Sequence, residues 1–491
     1  MTPGEWLIVF ALVLPLASAL AAHAFARAPD VRDTVTIMAA LALTVVAGSL
    51  VLRTGAGAAP ALTLAEPLPG LALAFRLEPL GALFAAMASA LWTINTMFSI
   101  GYLRAKGDGR QTRFYMCFAL SMFGVMGVAM AGNLFTLFVF YEVITLASYP
   151  LVTHAGDAAA RRAGRIYLGL LMGSSVMLLL PAIVGVWFIA GSTDFTQGGL
   201  LAGKADGMTA SLLLAMIVFG AAKAALMPLH VWLPAAMVAP APVSALLHAV
   251  AVVKAGVFTL LKASAYIFGP ELIATAPAAQ WLLWIASASI VIASLVALTR
   301  DDLKARLAWS TVAQLSTITS GALIAVGAGV VGGGLHMLTH AFGKITLFMC
   351  AGAIYVATGL TKVSEMRGLG REAPLVFACF LAASLSVIGL PPFGGMWSKF
   401  LLITAAFGAG QAWTAWAMIV SSTLSVVYLL PVAIHALAPT PRSEAVTRPT
   451  GSGSPGIMVA ALVLTTIGSL GLFFLADAVA TFLAPVTGAA P

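Results

Sequence analysis

The apolar residues of this 491-residue chain arrive in long blocks rather than in stripes. Many blocks exceed 18 residues, enough for a helix to cross a hydrocarbon core of roughly 30 Å. The pattern predicts spans at 6–25, 35–52, 80–102, 113–131, 133–153, 165–191, 209–238, 243–268, 277–299, 307–326, 330–358, 374–405, 412–437 and 456–484. Those at 209–238 and 374–405 are long and interrupted by proline. Alternation of apolar and polar positions is absent, and helices satisfy their own backbone in lipid, so sheet is not expected. The expected fold class is an all-α polytopic membrane protein of about 14 transmembrane helices, with one membrane domain filling 1–491. A stretch rich in Pro, Ser, Thr and Gly, 439–455, reads as a cytoplasmic linker before the last transmembrane helix at 456–484.

An internal repeat is visible. Leu-Met-Pro-Leu-His-Val-Trp at 226–232 matches Leu-Pro-Pro-Phe-Gly-Gly-Met-Trp at 390–397 with a one-residue gap. The two lie five spans apart, so a second copy inserts upside down. Paired proline-interrupted helices in an inverted repeat point to a transport site near the midplane, with helix breaks at Pro228 and at Pro391 and Pro392.

Composition agrees with the pattern. The chain is 61% hydrophobic and 9% charged, with a mean hydropathy of +1.03. A soluble protein of this size carries far more charge. No Lys or Arg precedes Arg27, so the first block reads as a retained helix rather than a signal peptide. Cys117, Cys350 and Cys379 sit in apolar blocks without a CxxC pair, which argues against zinc or iron–sulfur sites. There is no P-loop, dinucleotide fingerprint or nucleophile elbow, so no cofactor is expected. The net charge of +8 is a topology signal rather than a nucleic-acid signature. With the N-terminus outside, the cytoplasmic loops hold 17 of the 25 basic residues. The outer side holds Arg53, Arg76, Lys204 and Lys262, the last read as snorkelling from a helix end. Both termini then lie on the outer side.

Four basic residues have no topological explanation: Lys223, Lys254, Lys344 and Lys399, each inside an apolar span. Glu142 stands near the middle of its own span. Charge at that depth costs on the order of 3 kcal/mol, so such residues line relays or pair with partners. Lys223, five residues before Pro228, is the natural partner of Glu142, either as a switchable proton carrier or as a structural ion pair. Lys254 lies six residues after His248, on a different face. His336, His340 and Lys344 recur every four residues and share one face. Two histidines at that spacing suit a metal, but no acidic residue or cysteine stands beside them and a lysine completes the stripe. A hydrated proton wire is the preferred reading, with no metal, and with His230 and His248 as supporting groups. Gly332, Gly333 and Gly334 suggest a deformable helix start.

These stretches resemble a known family. Phe-Tyr-Glu around Glu142, Lys223 before Met-Pro-Leu-His-Val-Trp-Leu-Pro, Ala-Pro-Val-Ser-Ala-Leu-Leu-His, His-Ala-Phe-Gly-Lys and Pro-Pro-Phe-Gly-Gly-Met-Trp-Ser-Lys are similar to the antiporter-like family. It includes subunits of Mrp-type cation/proton antiporters, proton-pumping subunits of respiratory complex I and membrane-bound hydrogenase subunits. Phe-Tyr-Glu-Val-Ile-Thr-Leu-Ala-Ser-Tyr-Pro-Leu-Val-Thr-His most resembles the D subunits of the Mrp group. The resemblance implies two inverted five-helix repeats, 113–268 and 277–437, each with a proline-broken helix. It implies Glu142 and Lys223 as a coupling pair, Lys254 as central carrier, His336 and His340 between, and Lys399 at the exit. It also implies a hetero-oligomeric complex in the lipid of a bacterial inner membrane. Only one mid-membrane carboxylate, Glu142, is present, thin for a sodium cage that prefers several oxygens, so protons are the expected cargo of this chain and a partner subunit is expected to carry the Na+. Many relatives carry acidic residues where this chain has Ala235 and Val238, a departure from the complex I pattern. Three readings stay open: an antiporter subunit, a pumping subunit of a redox complex, and a non-conducting scaffold whose buried charges are structural.

Overall fold

Prolines and short polar caps start the helices of this computed structural model, which describes residues 1–69, 71–438 and 455–487. The linker expected at 439–455 therefore lies outside the described residues apart from Pro455, as do the side chains of Leu68 and His248. Proline suits the first helical turn, where its missing N–H is no loss. It opens α1 (Pro3–Ala24), α2 (Pro29–Gly55) and α3 (Pro79–Ala105). After α4 (Gln111–Met130), side-chain caps take over. Asn133 caps α5 (Leu134–Val152), Asp157 caps α6 (Ala158–Ala190) and Asp206 caps α7 (Gly207–Gly220). Residues 241–268 alternate α and π turns (α8). Then come α9 (Pro277–Leu298), α10 (Leu303–Leu323), α11 (Gly327–Thr358), α12 (Pro374–Ile388), α13 (Gly395–Gly408), α14 (Ala412–Leu437), α15 (Gly456–Phe474) and α16 (Ala476–Leu483).

Ten of the described helices are long and apolar enough to cross a membrane. This is a polytopic helical membrane protein. The other four expected spans are present as helical segments that fall short for identifiable reasons. Three are interrupted: 209–238, 243–268 and 374–405. The fourth, α10, buries Ser310, Thr311, Gln314, Ser316, Thr317, Thr319 and Ser320 and so is polar for a span. That polarity serves the interior rather than lipid.

Both proline breaks are real. After α7 the chain makes a short 3-10 turn at Ala222–Ala224, and Ala225 adopts a left-handed φ of 53°. The Trp232 indole donates across the break to the Ala222 carbonyl at 3.0 Å, satisfying a group that the lost helix leaves open. The broken backbone rests on α8 at Gly256, where a Cβ would stand 2.1 Å from the Ala224 amide nitrogen. The second break follows α12, at Gly389 with φ 94°. Met227–Pro228 and Pro391–Pro392 are both cis.

The longest helix, α11, is the central post, packing against α3, α8, α10, α12, α13 and α15. It starts at Gly327 and runs unbroken through Gly332, Gly333 and Gly334, so these glycines lie inside the helix rather than at its start. They are points of close approach. A Cβ on each would press into Leu402, Leu261 and Leu483 respectively.

Two features depart from the sequence expectation. An antiparallel hairpin, β1 (Ala61–Leu68) and β2 (Leu71–Arg76), joins α2 to α3. The large–small alternation of Leu-Ala-Leu-Ala-Phe is its signal, masked because neither face is strongly polar. The hairpin docks where α4 meets α5: Asn133 donates to the Ala72 carbonyl at 2.7 Å and Gly132 N–H to Ala74 at 2.8 Å. The second departure is Lys262. It does not snorkel but is fully buried. Its ammonium lies 2.5 Å from Glu78 at the start of α3 and 2.6 Å from the Ala131 carbonyl at the end of α4.

Breaking a buried ion pair on one side leaves an uncompensated charge, which costs about 3–5 kcal/mol. Lys262→Met should therefore lower the thermal unfolding temperature of the purified protein markedly, and adding Glu78→Leu should restore most of the loss. Gly256→Val should lower it too, by the equivalent of about 1–3 kcal/mol, because the new side chain must displace the backbone of the first break.

Candidate functional site

Each buried lysine must find acceptors inside the protein, because nothing in hydrocarbon replaces water. Lys223 lies in the 3-10 turn of the first break and is fully buried. Its ammonium donates to the Thr145 hydroxyl at 2.7 Å and the Tyr141 carbonyl at 3.0 Å, and sits 3.1 Å from the Tyr141 ring centroid. Tyr141 and Thr145 are four residues apart and so share a face of α5. Glu142 lies about 100° round the helix from Tyr141. Among the described residues it forms no ion pair with Lys223. Its two carboxyl oxygens are buried there without a hydrogen-bond partner. The expected pair is therefore a pair of neighbours on α5 and its partner turn, not a direct contact.

Lys254, on α8, is fully buried and reaches across to α11. Its ammonium lies 2.6 Å from His340 Nδ1. The backbone two residues on, at Gly256, is the surface on which the Lys223 turn rests, so α8 connects the two lysines mechanically. The His340 ring stacks on His336 at 6.0 Å between centroids. His336 in turn bonds the Ser398 hydroxyl at 2.9 Å through Nδ1 and the Gln314 side chain at 3.0 Å through Nε2. Ser398 precedes Lys399, whose ammonium donates to the Ser422 hydroxyl at 2.8 Å and the Ile388 carbonyl at 3.0 Å. Ile388 ends α12, so its carbonyl is free because of the second break.

The histidine stripe thus has three destinations rather than one. His340 turns to Lys254 and His336 to Ser398 and Gln314. Lys344 turns to α10, where it donates to Ser310 at 2.7 Å and to the Leu307 carbonyl at 3.2 Å. Ser310 also accepts from the Tyr428 hydroxyl at 3.0 Å. His230 is half-buried just beyond Pro228 and lies against Trp309, ring centroids 5.1 Å apart. His248 occupies a π turn, Leu246–Val250, and its side chain lies outside the described residues.

The row falls into two hydrogen-bonded pieces, Lys254 with His340 and His336 with Ser398 and Gln314, which meet where the two imidazoles stack. The hydroxyls and amide that complete it, Thr145, Gln314, Ser398, Ser310 and Ser422, escaped sequence reasoning. The unusual polarity of α10 and the Ser398–Lys399 adjacency were the available signals. The arrangement can pass a proton between an amine and an imidazole at hydrogen-bond distance, and the step from His340 to His336 needs a bridging water because the two rings only stack.

Comparison with known proteins identifies the family of the chain. Residues 131–425 match the family model described as NADH:quinone oxidoreductase/Mrp antiporter, TM. The chain is 33% identical over 399 residues to NADH-quinone oxidoreductase subunit N of Desulforudis audaxviator, covering 76% of each chain. It is 25% identical over 373 residues to the D subunit of the Na(+)/H(+) antiporter of Bacillus subtilis, covering 73% of this chain and 74% of that one. Against NAD(P)H-quinone oxidoreductase chain 5 of Synechocystis, at 31% identity, it spans about half of that protein's length. A chain of the Mrp complex from Dietzia sp. DQ12-45-1b superposes with a TM-score of 0.88 at 23% identity, over 99% of this chain and 97% of that one. The match covers the stretch that holds Glu142, both proline breaks and all four expected lysines, and so the chain belongs to the NADH:quinone oxidoreductase/Mrp antiporter transmembrane family.

Proposed function

We propose that this chain is the proton-translocating subunit of a multisubunit Na+/proton antiporter of the Mrp type. The observation that carries the proposal is the 2.6 Å contact between the Lys254 ammonium and His340 Nδ1, in a buried setting where the His340 ring stacks on His336, itself bonded to Ser398. A lysine held that way can hand a proton to its imidazole neighbour. Glu142 and Lys223 form the coupling group at the first break, and Lys399 exchanges protons at the second. The two breaks belong to the inverted repeats 113–268 and 277–437. The similarity to the Bacillus subtilis antiporter chain and the fold match to an Mrp chain support this reading. The chain acts within a hetero-oligomeric complex, and a neighbouring subunit carries the Na+. Na+ transport by this subunit alone would contradict that division of labour.

The excess of basic residues in alternate loops supports an orientation with both termini outside a bacterial inner membrane. A second reading is favoured by the 33% identity to an NADH-quinone oxidoreductase subunit: a proton-pumping subunit of a redox complex. Adjacent genes for short Mrp-type membrane subunits support the first reading. Adjacent genes for iron–sulfur and quinone-site subunits support the second.

Glu142→Gln and Lys254→Ala, expressed with the full complex in everted vesicles, should each assemble and lower Na+-driven proton movement by about 100-fold, the scale of a lost proton-transfer group. Assembly with wild-type antiport in both variants would leave the scaffold reading standing and the relay refuted.

A further inference from the structure

The relay needs an entrance, and α3, which precedes the residues matched to the family, leads to one. Among the basic cytoplasmic loops lies a cavity of about 380 Å³ lined by Tyr102, Lys106, Asp108, His154, Ala239 and Lys304. Its charges are organised. His154 bonds Asp108 at 2.9 Å, and Lys304 holds the Ala239 carbonyl at 2.6 Å. Lys106 lies 4.5 Å from the Tyr355 ring centroid and 5.8 Å from that of Tyr102. Asp108, in the loop after α3, feels its burial first, which disfavours the charge. The Arg110 amide and the His154 ring outweigh that and hold its carboxyl below the usual carboxylate range.

Tyr102 lies near the end of α3 and Lys106 just past it, and α3 continues inward from them. Trp92, Asn95, Tyr102 and Lys106 follow at intervals of three, seven and four, so they share one helix face. That face meets α8 and α11. Asn95 donates to the Pro242 carbonyl at 3.2 Å, and Phe98 packs where Gly352 of α11 meets Ala241 of α8. Further along, Phe84 lies against Phe258, ring centroids 4.8 Å apart. The two helices are thus antiparallel, and climbing α3 from Asn95 to Phe84 climbs α8 from Pro242 to Phe258. Lys254 is one turn short of Phe258. Trp92 falls between the cavity and the level of Lys254.

Along this climb two polar atoms are fully buried with no hydrogen-bond partner among the described residues: Asn95 Oδ1 and Trp92 Nε1. Buried polar groups are rarely left so, and each calls for a water molecule or another small hydrogen-bonding ligand. One is an acceptor and the other a donor, which suits a file of oriented waters. The apolar neighbours on the same helix, Leu91 and Ala88, offer nothing comparable.

We infer that this face of α3 is the proton inlet, leading from the cytoplasmic cavity past Tyr102, Asn95 and Trp92 to Lys254. The inference rests on the proton-relay reading given above and adds the entrance to it. Its ligand is water carrying a proton, and Asn95 is a positioning residue that orients that water rather than exchanging a proton itself. The Asn95 amide cannot titrate, so its role is to keep the file wet and aligned.

The test uses the assembled complex in proteoliposomes with an enclosed pH indicator. Asn95→Leu, which keeps the volume and removes the polar end, should lower proton flux about tenfold, while Asn95→Ser, which keeps a hydroxyl, should retain most of it. Val238→Cys gives an independent arm, because Val238 lines the cavity at 44% exposure and is not part of the relay. The unmodified variant should run at wild-type rate and should lose flux about tenfold when a bulky maleimide fills the cavity, the wild type being unaffected by the same reagent. Full flux through Asn95→Leu, or through maleimide-modified Val238→Cys, beside an inactive Lys254→Ala, overturns the inlet and leaves the relay standing. Full flux through Lys254→Ala overturns the relay reading and the inlet with it. If Asn95→Leu fails to assemble, the maleimide arm decides.

Discussion

The constraint on which this structure depends is the cost of holding ammonium groups in an apolar interior. Five lysines are involved, at 223, 254, 262, 344 and 399, all buried. Each is stabilised by acceptors supplied at short range, and the fold is arranged to supply them. Lys262 and Lys399 use carbonyls that helix ends leave free, at Ala131 and Ile388. Lys223 and Lys344 each take a hydroxyl and a carbonyl from one neighbouring helix, α5 and α10 respectively. Lys254 differs, since its near neighbour is an imidazole, itself able to give or take a proton.

That difference separates the lysine proposed to exchange protons from those held by acceptors alone. Lys262 faces a carboxyl group at the start of α3 and a carbonyl at the end of α4, a setting that ties the hairpin region to α8. Lys254 sits where α8 and α11 meet, between a helix break on one side and a stacked pair of histidines on the other. The breaks matter to both settings. They free carbonyls for ammonium groups, and they bring backbone close to α8 at Gly256, so a shift in the first break is felt next to Lys254.

The apolar blocks make most of the fold legible in the sequence, because span length and loop charge are local properties of the chain. The four lysines and Glu142 are legible for the same reason: charge inside an apolar span is conspicuous. What sequence reasoning cannot supply is how helices meet. It assigns Lys223 to Glu142, yet the ammonium reaches the Tyr141–Thr145 face of the same helix. It reads His336, His340 and Lys344 as one wire from their common face, yet three different helices receive them. Lys262 misleads because its place near a span end suggests snorkelling, and its partner Glu78 lies 184 residues away in sequence. The hairpin escapes notice because its alternation is between large and small rather than apolar and polar.

The central claim is that the Lys254–His340 contact carries protons rather than merely bridging two helices. Proton flux through the assembled complex carrying His340→Ala, measured with an enclosed pH indicator beside the thermal stability of the same preparation, tests it most directly. The account predicts flux lowered by about 100-fold in a variant that still assembles and folds, even where its thermal stability is reduced. Wild-type flux in that variant would contradict it.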